Sequence, residues 1–501
     1  MAEGPTPEQE AAVAAFGSGD HLVLQAGAGS GKTTTLRMLA ASTRRWGRYL
    51  AFNKSIATEA RSSFPDNVKC STAHSIAWHA VGHRYRDRLG APRMSSAKLA
   101  ALFGINVELR LGERKITASG LCFAAQETVL RYCQSADAVI GPQHVPWLKG
   151  IGEEHLHDQL ADVVLPYARR IWADLQNPER GRVKFKPDHY LKMWALTEPE
   201  IRKNFLMLDE AQDTNPVLER VFNAQRGHAQ LVMVGDSGQA IYGWRGARDV
   251  MTGFAGRQLT LSHSFRFGDG VAREANRWLA IAGASIRLHG SPTIDSGVGR
   301  VDRPDAILCR TNGGAMAEIL TLLGSGFRVA LVGRGDTLSD LAIAAQELKT
   351  GRRTNHPELL LFSSWGEVQD YVEHDPDGRD LQPFVDVIDE HGVDVVLDVL
   401  GRLSAENLAD VTVSTVHKAK GREWSTVRIA NDFTEPEPDD PHEVDRTGEP
   451  LPGRIDAAEA RLAYVAVTRA RHRLDLGGLA WINRHPDGNP DQRGGSFGQD
   501  R

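Results

Sequence analysis

Three glycines at alternate positions, Gly27, Gly29 and Gly31, run directly into Lys32 and Thr33. Lacking Cβ atoms, such a turn can wrap its backbone N–H groups around a phosphate, and a helix starting behind it favours negative charge. At this spacing a lysine reaches the β- and γ-phosphates of a nucleotide, and the threonine hydroxyl faces Mg²⁺. The stretch Ala26, Gly27, Ala28, Gly29, Ser30, Gly31, Lys32, Thr33, Thr34 therefore reads as a loop for a nucleoside triphosphate. Ala26 stands where the G-x-x-x-x-G-K-[ST] pattern has its first glycine. A glycine-rich strand-to-helix turn with a chance Lys-Thr pair is the competing reading.

A second chemical pair, Asp209 and Glu210, follows the apolar run Phe205-Leu206-Met207-Leu208. A carboxylate at the end of a core strand can hold Mg²⁺. An adjacent glutamate can deprotonate an attacking water. Two neighbouring acids are common as mere surface charge. Four apolar residues before them, in a chain already carrying a phosphate loop, make them catalytic candidates.

These groups need strands to hold them. Leu22-Val23-Leu24, Phe205 to Leu208 and Leu231 to Val234 read as strands of a parallel α/β sheet, whose carboxyl edge binds ligands. A second series follows at Ala306 to Cys309, Phe327 to Val332, Val411 to Ser414 and Val427 to Ala430. The stretch between His74 and Asp209 is mostly helical in pattern and reads as an inserted subdomain. Thr434 to Gly453, rich in Pro, Asp and Glu, reads as a solvated loop, and the tail from Arg484 as disordered.

At 501 residues the chain has room for about three domains. The net charge of -5 excludes a uniformly basic coat, so nucleic-acid binding would need a local groove. Cys70, Cys122, Cys133 and Cys309 form no C-x-x-C pair, which argues against a zinc or iron–sulfur framework and suits reduced thiols. The acidic, polar start does not read as a signal peptide, and no run of about 18 apolar residues suggests a membrane span.

Asp-Glu-Ala-Gln-Asp at 209–213 resembles motif II of the UvrD/Rep-like superfamily 1 DNA helicases. Val234 to Ala247 is similar to their motif III, and Ser264-Phe265-Arg266 to motif IV. Thr415 to Trp424 resembles motif V, and Ala463 to Ala470 motif VI. With the phosphate loop, the ordered motifs span nearly the whole chain. Ala51 to Ser55, Ser135-Ala136-Asp137 and Asp188 to Lys192 are similar to the F-box DNA helicase branch, although these 501 residues contain no F-box.

The resemblance implies two RecA-like parallel-sheet domains, an α/β fold with helical insertions, and ATP with Mg²⁺ in the cleft between them. Lys32, Asp209, Glu210, Gln239, Arg266 and Arg469 become the catalytic set, with Thr33 and Asp209 toward the metal. Arg266 and Arg469 would face the γ-phosphate, where such a guanidinium is worth about 10³–10⁵ in rate. Gln239 would sense the γ-phosphate. Gln9 would read adenine, yet Thr6-Pro7-Glu8-Gln9 is also a good capping box. Both readings stand. Phe265, where relatives often carry tyrosine, would stack on adenine, and Glu423 would accept from a ribose hydroxyl.

For DNA, Tyr242, Trp244 and Arg245 interleave aromatics with a cation, and stacking gives roughly 1–3 kcal/mol per base without reading sequence. The alternative is two core aromatics and a surface arginine. Asn53, Lys54, Thr72 and His74 are candidates for backbone phosphate contacts, and His417 of motif V joins them. The expected layout places domain 1 in 1–85 and 183–258 around a helical insertion at 86–182. Domain 2 occupies 259–344 and 405–483 around a small insertion at 345–404, and 484–501 is a disordered tail. The activity implied is 3′→5′ movement on single-stranded DNA in repair, recombination or replication. Partners would be single-stranded and tailed duplex DNA with repair or recombination proteins, and no membrane; the oligomeric state stays open. The expected location is soluble cytoplasm, at the nucleoid. Two alternatives remain: a translocase stripping recombinase or other proteins from DNA, and an ATP-gated DNA-binding module with vestigial hydrolysis.

Overall fold

Continuous apolar runs, as opposed to alternating ones, mark strands buried on both faces of a parallel sheet. Phe205, Leu206, Met207 and Leu208 are all buried, as a central strand requires. In the computed structural model such runs form two six-stranded sheets. The structure describes residues 4–488 except 92–93, 113, 149–152, 244–247, 334–335, 355, 357, 361, 375–379, 441 and 443–449.

The first sheet begins with β1 (Leu22–Ala26), β2 (Gly47–Ala51) and β3 (Val68–Thr72). A small hairpin, β4 (Leu109–Leu111) with β5 (Arg114–Ile116), lies in the helical stretch that follows. Then β6 (Phe205–Leu208), β7 (Gln230–Gly235) and β8 (Arg257–Leu261) complete the sheet in the order β3-β2-β6-β7-β1-β8. Every pair is parallel. The second sheet uses β9 (Gly297–Val298), β10 (Ala306–Cys309), β11 (Val329–Leu331), β12 (Val411–Thr415), β13 (Trp424–Ile429) and β14 (Ala470–Asp475). Its order is β11-β12-β10-β13-β14-β9, again wholly parallel.

Side chains alternate between the faces of each strand. Phe205 and Met207 join a core with Phe16, Leu36 and Leu39 from the flanking helices. Leu206 and Leu208 face the other way, into one core with Leu121, Val129 and Leu160 of the helical stretch. That stretch therefore shares its core with the sheet. The second sheet repeats the arrangement: Ile307 and Cys309 pack with Leu348, Phe362, Trp365 and Ile388. Leu308 faces Trp278, Val427 and Tyr464. Residues of 345–404 thus contribute to the same core as the strands.

Two of the signature stretches meet inside the helical region. Lys192, 1% exposed, donates to the carbonyls of Ser135 (2.8 Å) and Asp137 (2.6 Å) just beyond the helix Ala118–Gln134. A cation at a helix C-terminus satisfies orphan carbonyls and suits the helix dipole. The neighbouring His189 is buried with Nδ1 accepting from the Lys186 N–H at 3.0 Å. Burial, then the charge of Lys186, lowers its pKa from 6.5 to about 3, so it stays neutral. No helix among the described residues is long and apolar enough to cross a membrane.

Candidate functional site

The phosphate loop leaves the carboxyl end of β1 and enters the helix Lys32–Ala41. Gly29 and Gly31 both hold φ near 75°, the left-handed region where a Cβ would be strained. Space gives a second reason at Gly29, whose Cβ would lie 2.6 Å from both Arg266 Cβ and Ser264 Oγ. The loop is therefore covered directly by the segment that carries Phe265 and Arg266. Ser30 Oγ is buried there without a hydrogen-bond partner among the described residues.

Asp209 follows β6, two strands away from β1, and its carboxylate reaches back to the loop. Thr33 Oγ1 lies 3.5 Å from Asp209 Oδ2, which also accepts from Tyr49 Oη at 2.5 Å. Burial, helped by the neighbouring Glu210 charge, raises Asp209 to about 6. Glu210 has φ 52°, a strained backbone for a non-glycine residue. Its Oε1 is 3.9 Å from Lys32 Nζ, and its Oε2 accepts from Gln212 Nε2 at 2.6 Å. Burial pushes this carboxyl up, but Lys32, Lys420 and Gln212 together hold it below its ordinary value. Two adjacent acids thus have opposite tendencies.

Across the cleft, Arg266 and Arg469 come from segments around the second sheet. Arg469 is 1% exposed, and its Nη2 lies 3.4 Å from Gln239 Oε1. Burial, followed by repulsion from Arg266, lowers its pKa to about 9. Arg266 Nε instead donates to Glu423 Oε2 at 2.6 Å, so these two expected nucleotide contacts hold each other. Gln9 and Phe265 line one cavity of about 760 Å³ with Gly31, Thr34, Met38 and Thr293. Gln9 also completes the capping box, accepting from Thr6 N at 3.0 Å while donating to Thr35 Oγ1 at 3.1 Å. Cap and cavity wall coexist in one side chain.

Thr72 at the end of β3 and Asn53, two residues past β2, are N-caps of the helices that follow, accepting from Ser75 N (3.1 Å) and Ile56 N (2.9 Å). Lys54 is exposed beside Asn53, and His74 Nε2 sits 3.0 Å from Asp188 Oδ1. Tyr242 Oη donates to the His417 carbonyl at 2.8 Å. Trp244 and Arg245 lie outside the described residues.

Several residues were missed as individuals although their motifs were read. Lys420 bridges the two sheets: Nζ is 2.6 Å from Asp213 Oδ2, 2.5 Å from the Gln239 carbonyl and 5.1 Å from the Tyr242 ring centre. Tyr464 Oη donates to Asp236 Oδ2 at 2.8 Å and accepts the Ala28 N–H at 3.0 Å. Each is a polar group inside an otherwise apolar or basic run, which was the available signal. Phe52, 51% exposed beside Asn53, is an aromatic on the same sheet edge.

Residues 9–245 match the profile of an AAA domain, and residues 384–477 that of the UvrD-like helicase C-terminal domain. The chain is 31% identical to F-box DNA helicase protein 1 of Schizosaccharomyces pombe, over 95% of this chain and 57% of that protein. It is 27% identical to F-box DNA helicase 1 of Gallus gallus, over 90% and 47% respectively. A shorter match joins it to DNA helicase II of Haemophilus influenzae, at 25% identity over 52% of this chain and 38% of that one. The chain spans about half the length of the two F-box relatives it matches.

Proposed function

Because the chain belongs to the UvrD-like helicases, we propose that it is an ATP-driven DNA helicase moving 3′→5′ on single-stranded DNA in repair, recombination or replication. One observation carries the reading most: Lys32, Thr33, Asp209 and Glu210 converge below Gln239, Arg266 and Arg469, beside the cavity walled by Gln9 and Phe265.

In this reading Phe265 stacks on adenine, Gln9 meets its edge, and Lys32 with the loop N–H groups neutralises the phosphates. Thr33 and Asp209 would hold Mg²⁺, which would supply charge neutralisation at the β- and γ-phosphates. Among the described residues no three His, Cys, Asp or Glu side chains cluster for a metal, and two protein ligands beside phosphates suit Mg²⁺. Glu210, kept ionised, accepts a proton from the water that attacks the γ-phosphorus as the bond to the β–γ bridging oxygen breaks. Arg266 must leave Glu423 to reach the departing charge, and Glu423 is then free for the ribose. The exposed Phe52 and the Asn53, Lys54, Thr72 and His74 edge would carry DNA, with Tyr242 and His417 beyond the cleft.

A second reading, protein stripping with little strand separation, is favoured by segment 345–404, whose side chains share the core of the second sheet. A free lobe for prising strands would need its own core. The deciding experiment measures ATPase with and without single-stranded DNA, then opening of 3′- against 5′-tailed duplexes. Stimulated hydrolysis with preference for 3′ tails is expected, and a motor that only displaces blocks from 5′ ends fits the second reading. Preference for 5′ tails would overturn the direction, and no hydrolysis at all would leave the vestigial binding module. Grip on phosphates should also weaken with salt, log affinity falling by about 0.7 per neutralised phosphate per log unit.

A further inference from the structure

The helix Ala457–Val467 is apolar and buried from Leu462 to its end: Ala463, Val465, Ala466 and Val467 have 0–1% exposure. Tyr464 is also fully buried, yet its ring alone would pack equally well as phenylalanine. What a phenylalanine would lack is the hydroxyl, and both of its hydrogen bonds cross to the other sheet. It accepts from the backbone N–H of Ala28 in the phosphate loop and donates to Asp236 at the end of β7.

Asp236 is a junction. Its Oδ2 also accepts from Gln239 Nε2 at 2.6 Å, its Oδ1 from Gly238 N at 3.0 Å, and its own N–H donates to Gln212 Oε1 at 3.0 Å. Gln212 in turn holds Glu210, and Gln239 faces Arg469. The phenol therefore stands three hydrogen bonds from the expected general base and three from an expected γ-phosphate arginine. Arg469 lies just past the end of the same helix. A rotation of the second sheet that carries Arg469 toward or away from nucleotide must carry the phenol with it. If the hydroxyl leaves, Ala28 N–H and Asp236 lose a partner in a buried site, which the structure resists. Burial and the Asp236 charge hold the Tyr464 pKa well above its usual value, so the proton needed for donation is retained.

We propose that the Tyr464 hydroxyl is the positioning group through which the second sheet controls the phosphate loop, making nucleotide turnover answer to DNA. The inference rests on the reading that this cleft hydrolyses ATP under DNA control. It assigns no contact with nucleotide to Tyr464.

The test is Tyr464→Phe in the full chain, with folding checked by thermal melting. The readouts are the ratio of DNA-stimulated to DNA-free kcat and the ATP consumed per nucleotide travelled. The stimulation ratio should fall at least fivefold, and ATP consumed per step should rise. Equal loss of both rates with the ratio intact would make the residue merely structural and overturn the proposal, as would a ratio equal to the wild type's. A wild-type chain without ATPase would instead refute the reading of the cleft. Should Tyr464→Phe fail to fold, Asp236→Asn weakens the junction from the first sheet's side. The same fall in ratio is expected, and an unchanged ratio overturns the proposal.

Discussion

Lys420→Met measures how firmly the two sheets are tied. The Lys420 and Asp213 side chains are 8% and 2% exposed and their charges 2.6 Å apart. Burial already raises Asp213 from 3.8 to about 6 with the lysine in place, and its Oδ1 has no partner among the described residues. Breaking a buried pair from one side costs about 3–5 kcal/mol when the remaining charge has no escape. Asp213 has one, because it can take a proton. At pH 7.5 a carboxyl with a pKa of about 6 needs only about 2 kcal/mol to do so. The lost bond to the Gln239 carbonyl adds about 1 kcal/mol, so the expected penalty is about 3 kcal/mol. The sign with pH follows from the raised folded pKa. The native state binds the Asp213 proton more tightly than the unfolded chain, so stability is gained on acidification through the folded pKa. The variant, with the higher folded pKa, gains more. Its deficit should therefore shrink toward about 1 kcal/mol at pH 5.5. Urea unfolding of both proteins at pH 7.5 and 5.5 reads this directly, and adding Asp213→Asn to the variant should recover most of the loss. A deficit that does not change with pH, or a double variant as unstable as the single one, would refute the reasoning.

Lys32→Ala should lower ATPase by orders of magnitude with the fold intact, whereas Glu210→Gln should bind nucleotide and lose turnover. Steady-state hydrolysis beside a nucleotide-binding titration separates the two. His189, lowered from 6.5 to about 3, is neutral when native. The unfolded chain takes up a proton below pH 6.5 that the native one refuses, so stability falls with pH, by about 2 kcal/mol at pH 5. His189→Gln keeps an acceptor for the Lys186 N–H and should flatten the melting-temperature profile between pH 7 and 5. Phe52→Ala should weaken single-stranded DNA binding in fluorescence anisotropy while leaving nucleotide affinity unchanged, and Phe265→Ala should do the reverse.

The central strands were legible in the sequence because burial on both faces leaves an unbroken apolar run, as in β6 and β7. The margins were not. β14 reads Ala-Arg-His-Arg-Leu-Asp and β8 Arg-Gln-Leu-Thr-Leu, with exposed polar positions that tertiary pairing alone turns into strands. Segment 345–404 looked separable by length, and only the contacts of Leu348, Phe362 and Trp365 show that it completes the core beside β10. In the site, Lys32 and Thr33 were readable because their chemistry is local, within one turn. Tyr464 and Asp236 are 228 positions apart, and no spacing rule links a phenol to a carboxylate at that distance. Glu423 and Arg266 were both singled out, but their mutual ion pair depends on how the segments cross and left no trace in composition.

The strand order has a consequence for how the protein is made. β1, whose Leu22, Val23 and Leu24 are at most 1% exposed when folded, pairs only with β7 and β8 in the sheet. The first of these begins at Gln230, more than two hundred residues later in the chain. A ribosome adding about 5–20 residues per second leaves β1 without its neighbours for roughly 10–40 s. For that interval an apolar strand, covered on one face by the helix Pro7–Gly17 that precedes it, stands with both edges bare, a template for pairing with other chains. The nascent polypeptide thus needs shelter, from early helical collapse or from a chaperone, until the β7 segment has cleared the exit tunnel. Slowing translation through codons before Gln230 should lower the soluble yield, whereas slowing it after Leu261 should not.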